Sequence, residues 1–312
     1  MTTEEFHQGR RRVDRTVVLR APAKVNLHLE VLRRRHDGYH DIETVLQAVK
    51  LFDTVTVTLA EEFKGGDPDI SLKVSGGGKD VPADDTNLCW QAAAAFCRAT
   101  SRRGSLAMTL VKEIPSAAGL GGGSSDAAAV LVACNELFGT GLEPAELERI
   151  GKDLGADVPF FIRGGTALGR GIGADLTPLT SVSGCQFLIV KPALDLKTPD
   201  VYGDLKMGLT VNSSIANIRV IKPQLARFPQ KTWPGYNRLE DVVLPGQPAL
   251  QRLVMQMRDL APVAMLSGSG SAVFGVFDRR HDLEDIVREF EETGYFVRVV
   301  GPHTAGVEIT EN

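Results

Sequence analysis

Residues 114–131 read IPSAAGLGGGSSDAAAVL, with glycine at 119, 121, 122 and 123 followed by two serines, an aspartate and an alanine-rich run. Glycine inside an element costs up to about 1 kcal/mol relative to alanine, so such a cluster answers a geometric need. Before it, SLAMTLVKEI has strand character; after it, Val130, Leu131, Cys134, Leu137 and Phe138 recur at helical spacing. The chain must therefore pass from strand to helix through nearly bare backbone, with Ser124 or Ser125 expected to cap the helix. Such a turn presents free N–H groups at the positive end of a helix dipole, which is an anion cradle. A tight turn with close helix packing accounts for one or two glycines; four, beside two hydroxyls, favour phosphate.

The common phosphate loops do not fit. GxxxxGK[ST] needs a lysine after its last glycine, and Ser124 follows Gly123. Counted from Gly119, the dinucleotide pattern GxGxxG meets Ser124 where its third glycine belongs. The HRD and DFG tracts of protein kinases are absent.

A chain of 312 residues with 43% hydrophobic content can bury two cores. Its formal net charge of -4 gives no global pull toward nucleic acid or an anionic membrane, so the expected partner is a small molecule. Cys89, Cys97, Cys134 and Cys185 form no CxxC pair and read as buried thiols of a reducing cytoplasm. No run reaches the roughly 18 apolar residues of a membrane span. Residues 1–15 are expected as a flexible tail rather than a secretory signal. Arginines 10, 11, 12 and 15 could touch a polyanion, but no aromatic and basic stacking surface accompanies them.

Strands and helices are mixed along the rest. VNLHLEVL sets Val25, Leu27, Leu29 and Val31 on one face and Lys24, Asn26, His28 and Glu30 on the other. Asp37-Gly38 signals a turn, DTVTVTL a second strand at 53–59, and NLCWQAAAAFCRA a helix at 87–99. Another helix starts near Pro144, carries Leu147, Ile150 and Leu154 on one face and is expected to stop at Gly155, with Asp157 just beyond. From residue 185 the pattern restarts with CQFLIVKP; PVAMLSGSGSAVFGVF reads as two strands around a glycine-serine turn, then HDLEDIVREFEETG as a helix and YFVRVV as a strand. The class is α+β, with helices on one face of an antiparallel sheet in the second unit.

The glycine stretch resembles the second motif of the GHMP small-molecule kinase superfamily, with Pro115, Gly119, Leu120, Gly121, Gly122, Gly123, Ser124 and Ser125 matching as they stand. APAKVNLHLEV is similar to the first motif, and SGSGSAVFG, with Gly268, Ser269, Gly270, Ser271 and Ala272, to the third. The resemblance covers most of the chain. It implies a ribosomal-S5-domain-2-like domain at 16–182 and a ferredoxin-like domain at 183–312, with the active site between them. PAKVNL, DGYH, GLGGGSSDAA and GADVPFF are together similar to the branch that phosphorylates the 2-hydroxyl of a CDP-linked methylerythritol with ATP and Mg²⁺, in the non-mevalonate isoprenoid pathway.

What the resemblance implies for residues follows from those motifs. Asp157 is the expected catalytic base with Lys24 beside it. Asn87 lies near the adenine, and Pro115, Ser116, Ala117 and Ala118 join Gly119 through Ser125 around the ATP phosphates. Asn26, Tyr39, His40, Tyr202, Gly268, Ser269 and Gly270 lie on the substrate side, with the tyrosines stacking on cytosine and His40 reading its edge. A homoserine-type or mevalonate-type kinase, or a nucleotide sensor without catalysis, remain the alternatives, acting as a monomer or a homodimer. DGYH argues against the other kinases, and retention of both Lys24 and Asp157 against the sensor.

Overall fold

The computed structural model describes residues 10–77, 81–205 and 218–311. Strands β1 (Arg10–Arg34) and β2 (His40–Phe63) form one long antiparallel hairpin, turned at Asp37-Gly38 where Gly38 takes a φ of 88°. Register shifts near Pro22 and between Asn26 and His28 let this ribbon bend as it passes from one core to the next. Strand β3 (Asp69–Gly76) runs parallel to β4 (Gly104–Lys112), so a crossover is required, and helix α1 (Leu88–Thr100) provides it. Asn87 caps α1 by accepting a bond from the Cys89 N–H at 2.8 Å.

Helix α2 (Gly122–Leu137) lies in the first core among Val17, Leu19, Val57, Leu59, Ala92 and Phe96, its small residues Ala127, Ala128 and Ala129 fully buried. Neither Ser124 nor Ser125 caps it. Gly121, with φ 75°, holds the N-cap position, and both serines lie inside the helix. Helix α3 (Pro144–Lys152) starts in a capping box of Glu143 and Glu146 and ends earlier than Gly155. A short helix that the sequence reading did not anticipate, α4 (Val158–Arg163), follows directly, and Asp157 immediately precedes it. Strands β5 (Thr166–Gly171) and β6 (Asp175–Pro178) complete this side.

The second sheet has the order β10-β7-β9-β8, from β7 (Cys185–Lys191), β8 (Val263–Leu266), β9 (Val273–Asp278) and β10 (Phe296–Val300). Between these strands come α5 (Thr198–Gly203), α6 (Ile218–Gln224), α7 (Glu240–Val243), α8 (Pro248–Leu260) and α9 (Glu284–Glu292). Strand β11 (Glu308–Glu311) then leaves this unit and pairs with β1 at Val18 to Arg20. The first sheet thus has the path β11-β1-β2-β4-β3 with β5 on β2. The four cysteines are free and buried, as expected. Among the described residues no helix is long and apolar enough to cross a membrane.

Two expectations change. Residues 10–15, read as tail, belong to β1, where Arg10 pairs with Glu61 at 3.1 Å and lies over the Phe63 ring. Residues 1–9 lie outside the described ones, as do Gly78, Lys79 and Asp80 of the loop SGGGKD. The face of VNLHLEVL that alternation marks as polar is buried as well as the apolar one: Lys24, Asn26, His28 and Glu30 are all covered, with the second unit lying over them. Asn26 donates to Thr44 Oγ1 at 2.8 Å, Thr44 to the His28 carbonyl at 2.7 Å, and Glu30 is held by Arg238 and Tyr236.

Within that row, His28 is buried with its ring edge-on to Tyr236, and burial pushes its imidazole down to about 4. Its folded value lies below the unfolded one, so the unfolded chain takes the proton first as pH falls. The stability held by neutral His28 is complete above about pH 6.5 and is lost toward about pH 4, on the order of 3 kcal/mol. Urea unfolding at pH 7 and pH 4.5 should therefore show a steeper acid loss for the wild type than for His28→Gln. Equal losses would remove His28 as a source of acid sensitivity.

Candidate functional site

A cavity of about 1050 Å³ opens between the two units, walled by β1, β2, the loop before α1, the glycine turn, Asp157, α5 and the turn before β9. The glycines of the turn serve different needs. A side chain at Gly119 would overlap the Ser267 carbonyl of the second unit, and at Gly121 it would meet the Phe161 ring 2.7 Å away. At Gly122 it would come within 2.9 Å of Lys112 Nζ. Gly123 alone has room, with only Leu88 within 3.6 Å. Three glycines thus let the turn lie against its surroundings, while the start of α2 leaves the N–H groups of Gly122, Gly123 and Ser124 without helical partners.

Lys24 and Asp157 face one another across this turn. Nζ of Lys24 lies 3.7 Å from Asp157 Oδ2 and donates to Asn26 Oδ1 at 2.7 Å. Burial lowers the Lys24 ammonium, and Asp157 opposes that shift. The Asp157 side chain makes no capping bond to α4 and is a third exposed, so its carboxylate is available to the cavity. The same cavity is lined by Tyr39, 62% exposed, and His40, whose ring lies 5.3 Å from that of Tyr202 at a tilt of 34°. Burial lowers the His40 imidazole, with Arg34 adding to it, and raises the Tyr202 hydroxyl.

The expected residues separate as follows. Lys24, Asn26, Tyr39, His40, Asn87, Asp157, Tyr202, Gly268 and Ser269 line the cavity, as do Pro115 to Gly119 and Gly121 to Ser124. Leu120, Ser125 and Gly270 do not. Leu120 is core beside Ala23 and Val25, Ser125 is fully buried in α2, and the Gly270 N–H closes its own turn onto the Ser267 carbonyl at 2.9 Å. Asn87 lines the cavity with its amide occupied, accepting from Cys89 and donating to the Pro82 carbonyl at 2.6 Å.

Sequence reasoning missed a buried cluster under the turn. Lys112 Nζ bonds Asp53 and, at 2.7 Å, Asp126; Asp53 Oδ1 also accepts from the backbone N–H groups of Glu113 and Ile114 at 2.6 and 2.8 Å. Asp126 Oδ1 has no partner among the described atoms. Burial, with Asp53 adding to it, raises the Asp126 carboxyl, and the two carboxylates outweigh burial in raising Lys112. Asp126 follows the quoted serines directly, so its position was visible; its pairing with residues 53 and 112 was not. Thr198 was missed too, and its hydroxyl meets that of Ser269 at 2.9 Å.

Comparison with known proteins agrees with this geometry. The family model "GHMP kinases N terminal domain" matches residues 87–165, and "GHMP kinases C terminal" matches 225–295. The 4-diphosphocytidyl-2-C-methyl-D-erythritol kinase of Pelobacter propionicus is 39% identical over 91% of this chain and 98% of its own. The protein of the same name from Shouchella clausii is 38% identical over 90% and 94%. A crystal structure of 4-(cytidine 5'-diphospho)-2C-methyl-D-erythritol kinase superposes with a TM-score of 0.69 at 32% identity, covering 91% of this chain and 99% of that one. Homoserine kinase from Cytophaga hutchinsonii gives 0.76 at 18% identity, covering 99% of each chain, which shows a shared fold.

The buried cluster predicts an asymmetry between its two carboxylates. Asp53 accepts from two backbone N–H groups as well as from Lys112, so Asp53→Asn, which takes the charge out of those bonds while Lys112 keeps Asp126, should cost about 1–3 kcal/mol. Asp126→Asn relieves an excess negative charge, leaves Lys112 paired with Asp53, and should stay within about 1 kcal/mol of the wild type. Denaturant unfolding of both variants checks this, and a larger loss for Asp126→Asn would reverse the assignment.

Proposed function

The chain belongs to the GHMP kinases, in the branch of the 4-diphosphocytidyl-2-C-methyl-D-erythritol kinases, and from that premise we propose that it moves the γ-phosphoryl group of ATP to the 2-hydroxyl of that CDP-linked alcohol. The observation that carries the reading is the Lys24–Asp157 pair facing the glycine turn within one cavity that also holds Tyr39, His40 and Tyr202.

Asp157 accepts the proton of the attacking hydroxyl, a task that needs a carboxylate within hydrogen-bond reach and free of other bonds. Lys24, fixed by Asn26, holds that carboxylate in place and keeps positive charge beside the oxygen as it becomes nucleophilic. The unpartnered N–H groups at the start of α2 bind the phosphate chain at the positive end of the helix dipole. Phosphoryl transfer asks the protein mainly for such positioning and charge compensation. Tyr39 and Tyr202 offer ring faces to the cytosine, and His40 offers a neutral edge.

A magnesium ion suits this donor set. Mg²⁺ in phosphoryl-transfer sites is held by one or two carboxylates plus substrate phosphates, and Asp157, a third exposed, lines the cavity. Its chemistry there would be to neutralise charge on the β- and γ-phosphates. The four buried free thiols support a reducing, cytoplasmic setting.

The test is a coupled assay at saturating ATP with the full CDP-linked alcohol and with methylerythritol 4-phosphate. The truncated alcohol should lose about tenfold to hundredfold or more in kcat/KM, the scale of one lost base stack. Asp157→Asn should lower kcat by about 10²- to 10⁴-fold with ATP affinity little changed. Equal kcat/KM for the two alcohols would refute the cytidyl assignment, and full turnover in Asp157→Asn would refute the base. Gly123→Ala, for which the fold has room, should raise the KM for ATP while leaving thermal unfolding unchanged. An unaltered KM would place the phosphates elsewhere.

A further inference from the structure

Strand β1 ends at Arg34, inside a run of three arginines that the structure treats unequally. Alternation along the strand puts Arg33 and Arg34 on opposite faces, and Arg35 lies just beyond it. Arg33 Nε donates to Asp41 at 2.6 Å; Arg35 bonds Asp37 at 2.8 Å and Asp41 at 3.3 Å. Arg34 has no hydrogen bond or ion pair among the described residues, and it is the one of the three that lines the cavity. It sits across from His40 in the strand register, beside Tyr39.

The cavity's other cations are already engaged. Lys24 faces Asp157, and Lys112 is shared between Asp53 and Asp126. Asp37, which also lines the cavity near Arg34, is turned to Arg35. A guanidinium without an ion-pair partner among the described residues therefore lines the cavity next to Tyr39 and across from His40, in reach of what binds beside them. Its planar fork matches a phosphate with two parallel N–H bonds, and it stays charged at every working pH.

We propose that Arg34 binds the diphosphate that joins the cytidine to the alcohol, so that the site selects a nucleoside diphosphate over an uncharged cytidine at the same position. The inference rests on the cytidyl reading above. It assigns a division of labour to the hairpin tip: rings for the base, Arg34 for the charge. The same positive charge helps keep His40 neutral, so its imidazole retains one donor and one acceptor for the base edge.

Isothermal titration with CDP and with cytidine tests this, using the whole protein saturated with a non-hydrolysable ATP analogue so that the ATP site is filled. The wild type should bind CDP about tenfold or more tightly than cytidine, the scale of a charge-assisted contact. Arg34→Gln should bring CDP to within about threefold of cytidine while cytidine itself binds as before, and Arg34→Lys should fall between. Arg33→Gln, on the other face, should keep the wild-type ratio. A wild-type CDP preference that survives in Arg34→Gln overturns the proposal, as does a loss in that variant of affinity for the ATP analogue instead. A wild type that binds neither CDP nor cytidine overturns the cytidyl reading and the proposal with it.

Discussion

The meeting of the glycine turn with the second unit governs the rest of this molecule, and it is made almost wholly of backbone. The Ala118 carbonyl accepts from the Ala272 N–H at 3.1 Å and the Gly119 carbonyl from the Ser267 hydroxyl at 2.8 Å, both of the second unit, while the Leu120 carbonyl accepts from the Lys24 N–H of β1 at 2.9 Å. Three consecutive oxygens are thereby turned into protein. Carbonyl oxygens would repel an incoming phosphate, so tying them down leaves the turn's opposite character, its N–H groups, toward the cavity. The Lys24 N–H bond also brings that residue under the turn by its own main chain, so the turn and the Lys24–Asp157 pair share one anchor.

Charge is distributed around that anchor with little excess. Buried Lys24 and Lys112 each have carboxylates close by, and Glu30 and Glu240 meet Arg238 and Arg258. Removing one member of such a pair leaves an uncompensated charge out of water, which makes these contacts matter more for where groups sit than for net stability. Lys112 and Asp53 tie the end of β4 to β2, and Asp126 carries the tie into the first turns of α2. The helix start that faces the cavity is therefore held from beneath.

Much of this was legible in the residues themselves. The alternation of Val55, Val57 and Leu59, the helical spacing beyond the glycines and the strand pair around the Gly268 turn all appear as read. The exceptions have one cause, tertiary cover. Alternation sets Lys24, Asn26, His28 and Glu30 on one polar face, but period two marks polar against apolar, not wet against dry. Residues 21–31 are buried on both faces because a second unit lies on the ribbon, and nothing local says so. Likewise Ser124 and Ser125 fit a cap by type, yet a glycine in the left-handed region took that place because the turn needed Phe161 and Lys24 close. Asp53 and Lys112 lie 59 residues apart, beyond any local pattern.

The return of β11 to β1 bears on the order in which a nascent chain can complete itself. Strand β1 is made long before β11, its neighbour at Val18 to Arg20. Until β11 follows, that stretch of β1 has an unpaired row of backbone donors and acceptors, the kind of edge along which chains stick to one another. The first sheet is whole only once the second unit has been made and β11 has come back to it, so a change in β11 would be felt far away in sequence, at β1.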